Sequence, residues 1–225
     1  MKIKVIGSDS AFEGLNSSLF FTEDRGGVER GVLVDCGFTV FPELTRLSLR
    51  EKVDVVLISH LHPDHTGSLC TLAIWSIIFR KKKIFVGGED AAELFIVQGI
   101  RPNDFEPLPS DDPLNIKTIR TAHIPGSGHN KALFIADTIL WSGDTNESIL
   151  DSDYARQAKI IFHEAVMEPR TGAHTGIEIL NQAAPDIKAK TWLIHIPEKE
   201  RAEIERLAAE MGFAGVCYNG QEIEL

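Results

Sequence analysis

The segment Val53-Asp54-Val55-Val56-Leu57-Ile58-Ser59-His60-Leu61-His62-Pro63-Asp64-His65-Thr66-Gly67 constrains this chain more than any other. Its first half is a short, β-branched apolar run, which predicts a buried strand. Its second half places three histidines and one aspartate within six residues, directly after that strand. A turn at a strand's end aims several side chains at one spot, and Pro63 stiffens it. Imidazole nitrogen and carboxylate oxygen together suit zinc or another borderline divalent cation. One such loop fills only part of a coordination shell, so further ligands must come from elsewhere. His123, Asp144 and His195 qualify, because each follows a predicted strand of its own, over 116–122, 139–141 and 192–194. His129 competes with His123. The 21-residue step from His123 to Asp144 leaves more room for a two-strand hairpin than the 15-residue step from His129.

The rest of the chain predicts an α/β mixture in a single domain over residues 1–225. Further strands are expected over 2–6, 17–22, 31–35, 83–86, 132–136, 160–163 and near Val216. Helices are expected over 41–50, 67–79, 89–98, 173–183 and 198–211. The last carries apolar residues at 204, 207, 208 and 211, one helical face. The order of elements suggests sheets covered by helices on their outer faces rather than a strictly alternating sheet.

Composition excludes several function classes. The 33 acidic against 23 basic residues give a net charge of −10, which argues against broad nucleic-acid binding. The dense basic run Arg80-Lys81-Lys82-Lys83 reads first as a solvated helix end. The longest apolar stretch, Leu72 to Phe79, is far too short to span a membrane. Three widely spaced cysteines and the lack of an apolar leader point to a reducing, cytoplasmic setting. Ile74, Trp75, Ile77, Ile78 and Phe79 suit either a core or a homodimer surface.

His60-Leu61-His62-Pro63-Asp64-His65 resembles the H-x-H-x-D-H signature of the metallo-β-lactamase superfamily. Four other landmarks follow that family's order. Asp35-Cys36-Gly37 resembles the early Asp-x-Gly turn, and His123-Ile124-Pro125-Gly126 the third motif. Ser142-Gly143-Asp144-Thr145 resembles the fourth, and Leu193-Ile194-His195 the fifth. The resemblance implies a four-layer αββα sandwich carrying two divalent ions, zinc first, with iron or manganese as alternatives. It implies His60, His62 and His123 on one ion and Asp64, His65 and His195 on the other. Asp144 and a water or hydroxide would bridge them, and Asp64 would take part in the catalytic centre.

Within the superfamily the chain is most similar to the ribonuclease Z-like phosphodiesterases. Asn16-Ser17-Ser18 and Phe162-His163-Glu164-Ala165 resemble that branch's motifs, and so does Ala173-His174-Thr175, though Val166 and Gly176 stand where the branch has Thr. The resemblance implies that Glu164 and His174 pair to protonate the leaving oxygen. Only nine residues separate these two, and the chain is short for a tRNA-binding arm, so a small phosphodiester or nucleotide is the expected substrate. Two alternatives stay open. One is a thioester hydrolase similar to glyoxalase II, which would need a C-terminal region that this chain is short for. The other is a non-hydrolytic diiron protein that binds oxygen or senses redox state, against which His62 counts because that group places Glu there.

Overall fold

The computed structural model describes every residue except Gly26, 88–90, 125–129 and 169–171. The chain divides into two compact units, residues 1–113 with 219–224, and residues 114–218.

The first unit is built on a sheet of strands β1 (Lys2–Gly7), β2 (Ser18–Arg25), β3 (Val28–Val34), β4 (Val53–Leu57), β5 (Phe85–Gly87) and β6 (Glu106–Pro107), with β13 (Glu222–Glu224) beside β1. β13, β1, β2 and β3 run antiparallel to their neighbours, whereas β3 to β6 are parallel. One face packs on helices α1 (Val40–Arg46), α3 (Leu69–Trp75) and α4 (Ala91–Val97). Phe20, Leu33 and Val56 of the strands meet Leu44, Leu72 and Phe95 of the helices in one apolar core.

The second unit follows the same plan. Its sheet runs β12 (Gly215–Val216), β11 (Thr191–Ile194), β10 (Ile160–Glu164), β9 (Ile139–Trp141), β8 (Lys131–Ile135), β7 (Lys117–Arg120). β7 to β9 are antiparallel and β9 to β12 parallel. Helices α5 (Asp153–Gln157), α6 (Ile177–Leu180), α7 (Pro185–Lys188) and α8 (Glu198–Met211) cover one face. Phe134, Leu140, Ile161 and Leu193 form a core there with Ala155, Leu180, Ile187 and Ile204.

Several expectations need correcting. The helix expected over 67–79 starts at Leu69, changes pitch at Ser76, and is preceded by a separate short helix. Pro63 takes the first position of a short helix α2 (Pro63–Thr66), where its missing N–H costs nothing. α3 then starts after Ser68 and ends in a π turn over Ser76–Arg80, closed by Lys81 at a φ of 56°. The helix expected over 173–183 begins only at Ile177. Before it, Val166 N–H donates to Thr175 O and Ile177 N–H to Val166 O, which keeps Thr175 and Gly176 extended. Pro185 cannot donate to residue 181, so a new helix starts there. The helix expected from Glu89 is described from Ala91, because Glu89 lies outside the described residues. The basic run is more than a solvated helix end. Arg80 and Lys82 both bind Asp54 Oδ1, at 2.8 and 2.6 Å, and Lys83 approaches Glu106 at 3.5 Å. Among the described residues no helix is long and apolar enough to cross a membrane.

Candidate metal-binding residues and their partners

In the first unit, β3 and β4 lie side by side, and both deliver functional residues at their C-terminal ends, where parallel sheets present ligands. Asp35 follows β3 in a left-handed conformation, φ 56°, uncommon for a residue with a side chain. Its N–H donates to Leu57 O, which locks the turn to β4. Its carboxylate is fully engaged. Oδ1 accepts from Ser59 N at 2.8 Å, and Oδ2 accepts from Ser59 Oγ and His65 Nδ1, each at 2.8 Å. Ser59 Oγ in turn lies 3.1 Å from His60 Nδ1 and can accept its proton.

His60 and His62 stand in the extended stretch before α2, and Asp64 and His65 in its first turn. His60, Asp64 and His65 are buried, while His62 is partly exposed. The three imidazoles cluster, with ring centroids 4.5 Å apart for His60 and His62 and 4.1 Å for His60 and His65. Gly37 allows the close fit: a Cβ there would lie 1.9 Å from Asp64 O and 2.8 Å from the Asn16 Cβ.

In the second unit the parallel neighbours β9, β10 and β11 bring three residues to one edge. Asp144 lies three residues beyond β9, Glu164 ends β10, and His195 follows β11. The register pairs Glu164 with Ile194, one residue before His195. His195 also adopts a left-handed φ, 60°. His123 Nε2 and His195 Nε2 both approach Asp144 Oδ2, at 3.6 and 3.4 Å. His123 Nδ1 donates to Ala173 O at 2.5 Å.

Glu164 is buried and receives two short hydrogen bonds. Thr145 N–H donates to Oε1 and His174 Nδ1 to Oε2, each at 2.5 Å. Burial drives the Glu164 carboxyl well above the usual carboxylate range, and the hydrogen bond from His174 opposes that. The His174 ring lies edge-on to His123, centroids 5.0 Å apart, and stacks near His195 at 5.7 Å. Donor atoms of Asp144, Glu164 and His174 all fall within 4.8 Å of one another. His174 precedes α6 by three residues, so it lies outside the helix that the expected span 173–183 would have placed it in.

These residues suit a divalent ion. With Nδ1–H donated to Asp35 and to Ala173, His65 and His123 each present an Nε2 lone pair. Those lone pairs face carboxylate oxygens, Asp64 Oδ2 at 3.3 Å and Asp144 Oδ2 at 3.6 Å. Two acceptors at that spacing repel unless a cation or proton stands between them.

Sequence reasoning placed Asp35 in a motif but assigned it no role, and it passed over Ser59 and the Ala173 carbonyl. The Asp-x-Gly turn was the available signal for Asp35. A backbone carbonyl 50 residues from His123 leaves none. His129, the rival to His123, lies outside the described residues.

The family model of Anti-Pycsar protein Apyc1 matches residues 1–95 and 87–222. The chain belongs to this family. An Anti-Pycsar protein Apyc1 from Paenibacillus harenae is 28% identical over 223 residues, covering 87% of this chain and 89% of the relative. The metallo-β-lactamase fold protein YhfI from Bacillus subtilis superposes with a TM-score of 0.77, at 20% identity, over 100% of this chain and 99% of that one. A diphosphatase from the PhnP family follows at 0.69 and 15% identity, covering 100% and 97%. The Apyc1-family chain thus has the metallo-β-lactamase fold, as its motifs implied.

Proposed function

We propose that this chain is a metal-dependent phosphodiesterase that hydrolyses a small phosphodiester, a cyclic nucleotide in the first instance. Membership of the Anti-Pycsar protein Apyc1 family supports the reading. The observation that carries it is the 2.5 Å bond from His174 Nδ1 to buried Glu164, beside the rings of His123 and His195. We keep His60, His62, Asp64, His65, His123, Asp144 and His195 as the ligands, with zinc as the first choice of metal. Bound divalent ions would lower the pKa of a water and offset negative charge on the phosphoryl oxygens.

The protein's own groups supply the rest. Asp35 and the Ala173 carbonyl hold His65 and His123 in the tautomer that ligates. Glu164 fixes His174 with its Nε2 as the proton-bearing atom. As water loses a proton to solvent and its oxygen forms a bond to phosphorus, the bond to the ribose oxygen breaks, and that oxygen leaves as an alkoxide. An alkoxide is a poor leaving group, and the proton on His174 Nε2 converts it to an alcohol. A thioester presents no such leaving oxygen, so the Glu164–His174 pair favours phosphodiester over thioester hydrolysis.

Metal-loaded protein assayed in parallel on cyclic nucleotides, bis-p-nitrophenyl phosphate and S-lactoylglutathione tests the proposal. Cyclic-nucleotide turnover abolished by chelation is expected. Thioester turnover with no phosphodiester cleavage would overturn it.

A further inference from the structure

The link between β1 and β2 carries the most exposed large apolar side chain of the described residues, Phe12, at 98% exposure. A scattered surface aromatic needs no explanation on a loose loop, where it can fold back. This loop is held open. Asp9 N–H donates to Leu15 O at 3.0 Å, and Asp9 Oδ2 accepts from Leu15 N and from Asn219 Nδ2, each at 2.8 Å. Glu13 N–H donates to Ser10 O, and Ser17 Oγ to Asp9 O. Gly14, at a φ of 47°, closes the turn where a Cβ would sit 2.0 Å from Asp9 Oδ2. The ring is therefore presented to water by a constrained backbone.

The same loop is tied to the H-x-H-x-D-H segment. Asn16 Nδ2 donates to the carbonyl of Ala11, the residue before Phe12, at 3.1 Å. Asn16 is itself clamped by Thr39, which donates to its Oδ1 from both N and Oγ1 and accepts from its N–H. A Cβ on Gly37 would fall 2.8 Å from the Asn16 Cβ and 1.9 Å from the Asp64 carbonyl, so glycine lets these two segments pack close together. Phe12 is thus connected to Asp64 through a short relay of fixed groups.

We propose that Phe12 is a substrate-positioning residue whose ring stacks on the nucleobase of the bound nucleotide. The inference rests on the phosphodiesterase reading above and deepens it. A rigid, solvent-held aromatic stacks on a base without paying an ordering cost, and every base offers a face. A nucleoside substrate contains one part that stacks and one that reacts, which matches an aromatic at one end of the relay and candidate ligands at the other.

The experiment compares wild type, Phe12→Ala and Phe12→Trp on a cyclic nucleotide and on the abasic 1-deoxyribose 3′,5′-cyclic phosphate. Phe12→Ala is expected to raise KM for the nucleotide roughly tenfold, with a much smaller change in kcat and in either constant for the abasic compound. Phe12→Trp should restore KM, and its added indole fluorescence should be quenched by the nucleotide and not by the abasic analogue. An unchanged KM in Phe12→Ala, or an equal loss on both compounds, would overturn the proposal. So would conversion of a dimer to a monomer, which would make Phe12 a contact between copies. If wild type cleaves neither compound, the phosphodiesterase reading fails, and quenching in Phe12→Trp still decides whether Phe12 meets a base.

Discussion

The two units share a strand plan, antiparallel strands followed by parallel ones, yet they gather their candidate ligands in opposite ways. The first takes four of them from one stretch after β4, His60 to His65. The second takes His123, Asp144 and His195 from the ends of separate strands, spread over 73 residues of sequence. In the first unit local geometry does the gathering, because Pro63 starts a helical turn that brings His65 beside His60 and Asp64 beside His65. In the second, β-sheet register does it: parallel pairing of β9, β10 and β11 aligns the segments that carry Asp144 and His195, and the antiparallel run β7–β8–β9 returns His123 to the same edge. A ligand group of the first kind depends on a few neighbouring hydrogen bonds. One of the second kind depends on the whole sheet, and there Asp144 Oδ2 is the common partner of both histidines.

The largest expected effect follows from that shared role. Asp144→Asn keeps the shape and removes the charge that His123 and His195 both face. Activity should fall by roughly 10³-fold, beyond the 10–100-fold typical of orienting partners, and elemental analysis should show metal lost. If Asp144→Asn retains both full metal and full turnover, the second unit's group is not a ligand set.

The next prediction separates proton donation from ligation within the second unit. His174→Ala should slow cleavage of a substrate with an alkyl leaving group by about 10²–10⁴-fold. The same variant should barely slow a p-nitrophenyl ester, whose leaving group departs unprotonated, and metal content should stay intact. Equal slowing of both substrates, or loss of metal, would remove His174 from the acid role.

The first unit offers the matching test. Asp35 holds His65 and, through Ser59, His60, so Asp35→Asn disturbs two candidate ligands through one position. Metal affinity should drop by about 10–100-fold, measured by competition with a chromogenic chelator. Ser59→Ala removes the link to His60 and one hydrogen bond to Asp35 but leaves Asp35 holding His65, so it should cost less. The reverse ranking would place the organising contact at Ser59.

The same contrast explains what was legible in the sequence. The first group could be read directly, because its members are close in sequence and its strand is a short run broken only by Asp54. The second was legible only as positions after strands, since no local pattern reports that β10 lies between β9 and β11. α8 was read to the residue, because its apolar positions repeat at helical spacing and Gly212 ends it in a left-handed turn. The segment over 173–183 misled because Val166 pairs with Gly176, and that tertiary bridge outweighs the helix propensity of its residues. β13 went unnoticed because only Ile223 of its three residues is buried. The Glu164–His174 pair was proposed from motifs. Its hydrogen bond, and Asp35's grip on His65, needed coordinates.

The smallest effect at neutral pH concerns His163, which shares β10 with Glu164 but takes no part in the proposed chemistry. It is buried, its Nδ1 donates to Glu164 O at 2.8 Å, and its Nε2 accepts from Ile149 N at 3.4 Å. Burial lowers its pKa from 6.5 to about 4. The unfolded chain therefore binds a proton before the folded chain does. Stability should be at its full value above about pH 6.5, fall as the pH drops toward 4, and level off below, a difference of roughly 3 kcal/mol. His163→Gln can still accept from Ile149 and donate to Glu164 O, and it does not titrate. Urea unfolding of chelator-treated wild type and variant between pH 4 and 7 isolates this group from the loss of metal in acid. The variant should match wild type near pH 7 and lose less stability on acidification. Parallel curves over that range would mean that His163 is no more reluctant to protonate in the folded chain than in the unfolded one, and that the β10 strand is acid-sensitive through its neighbours alone.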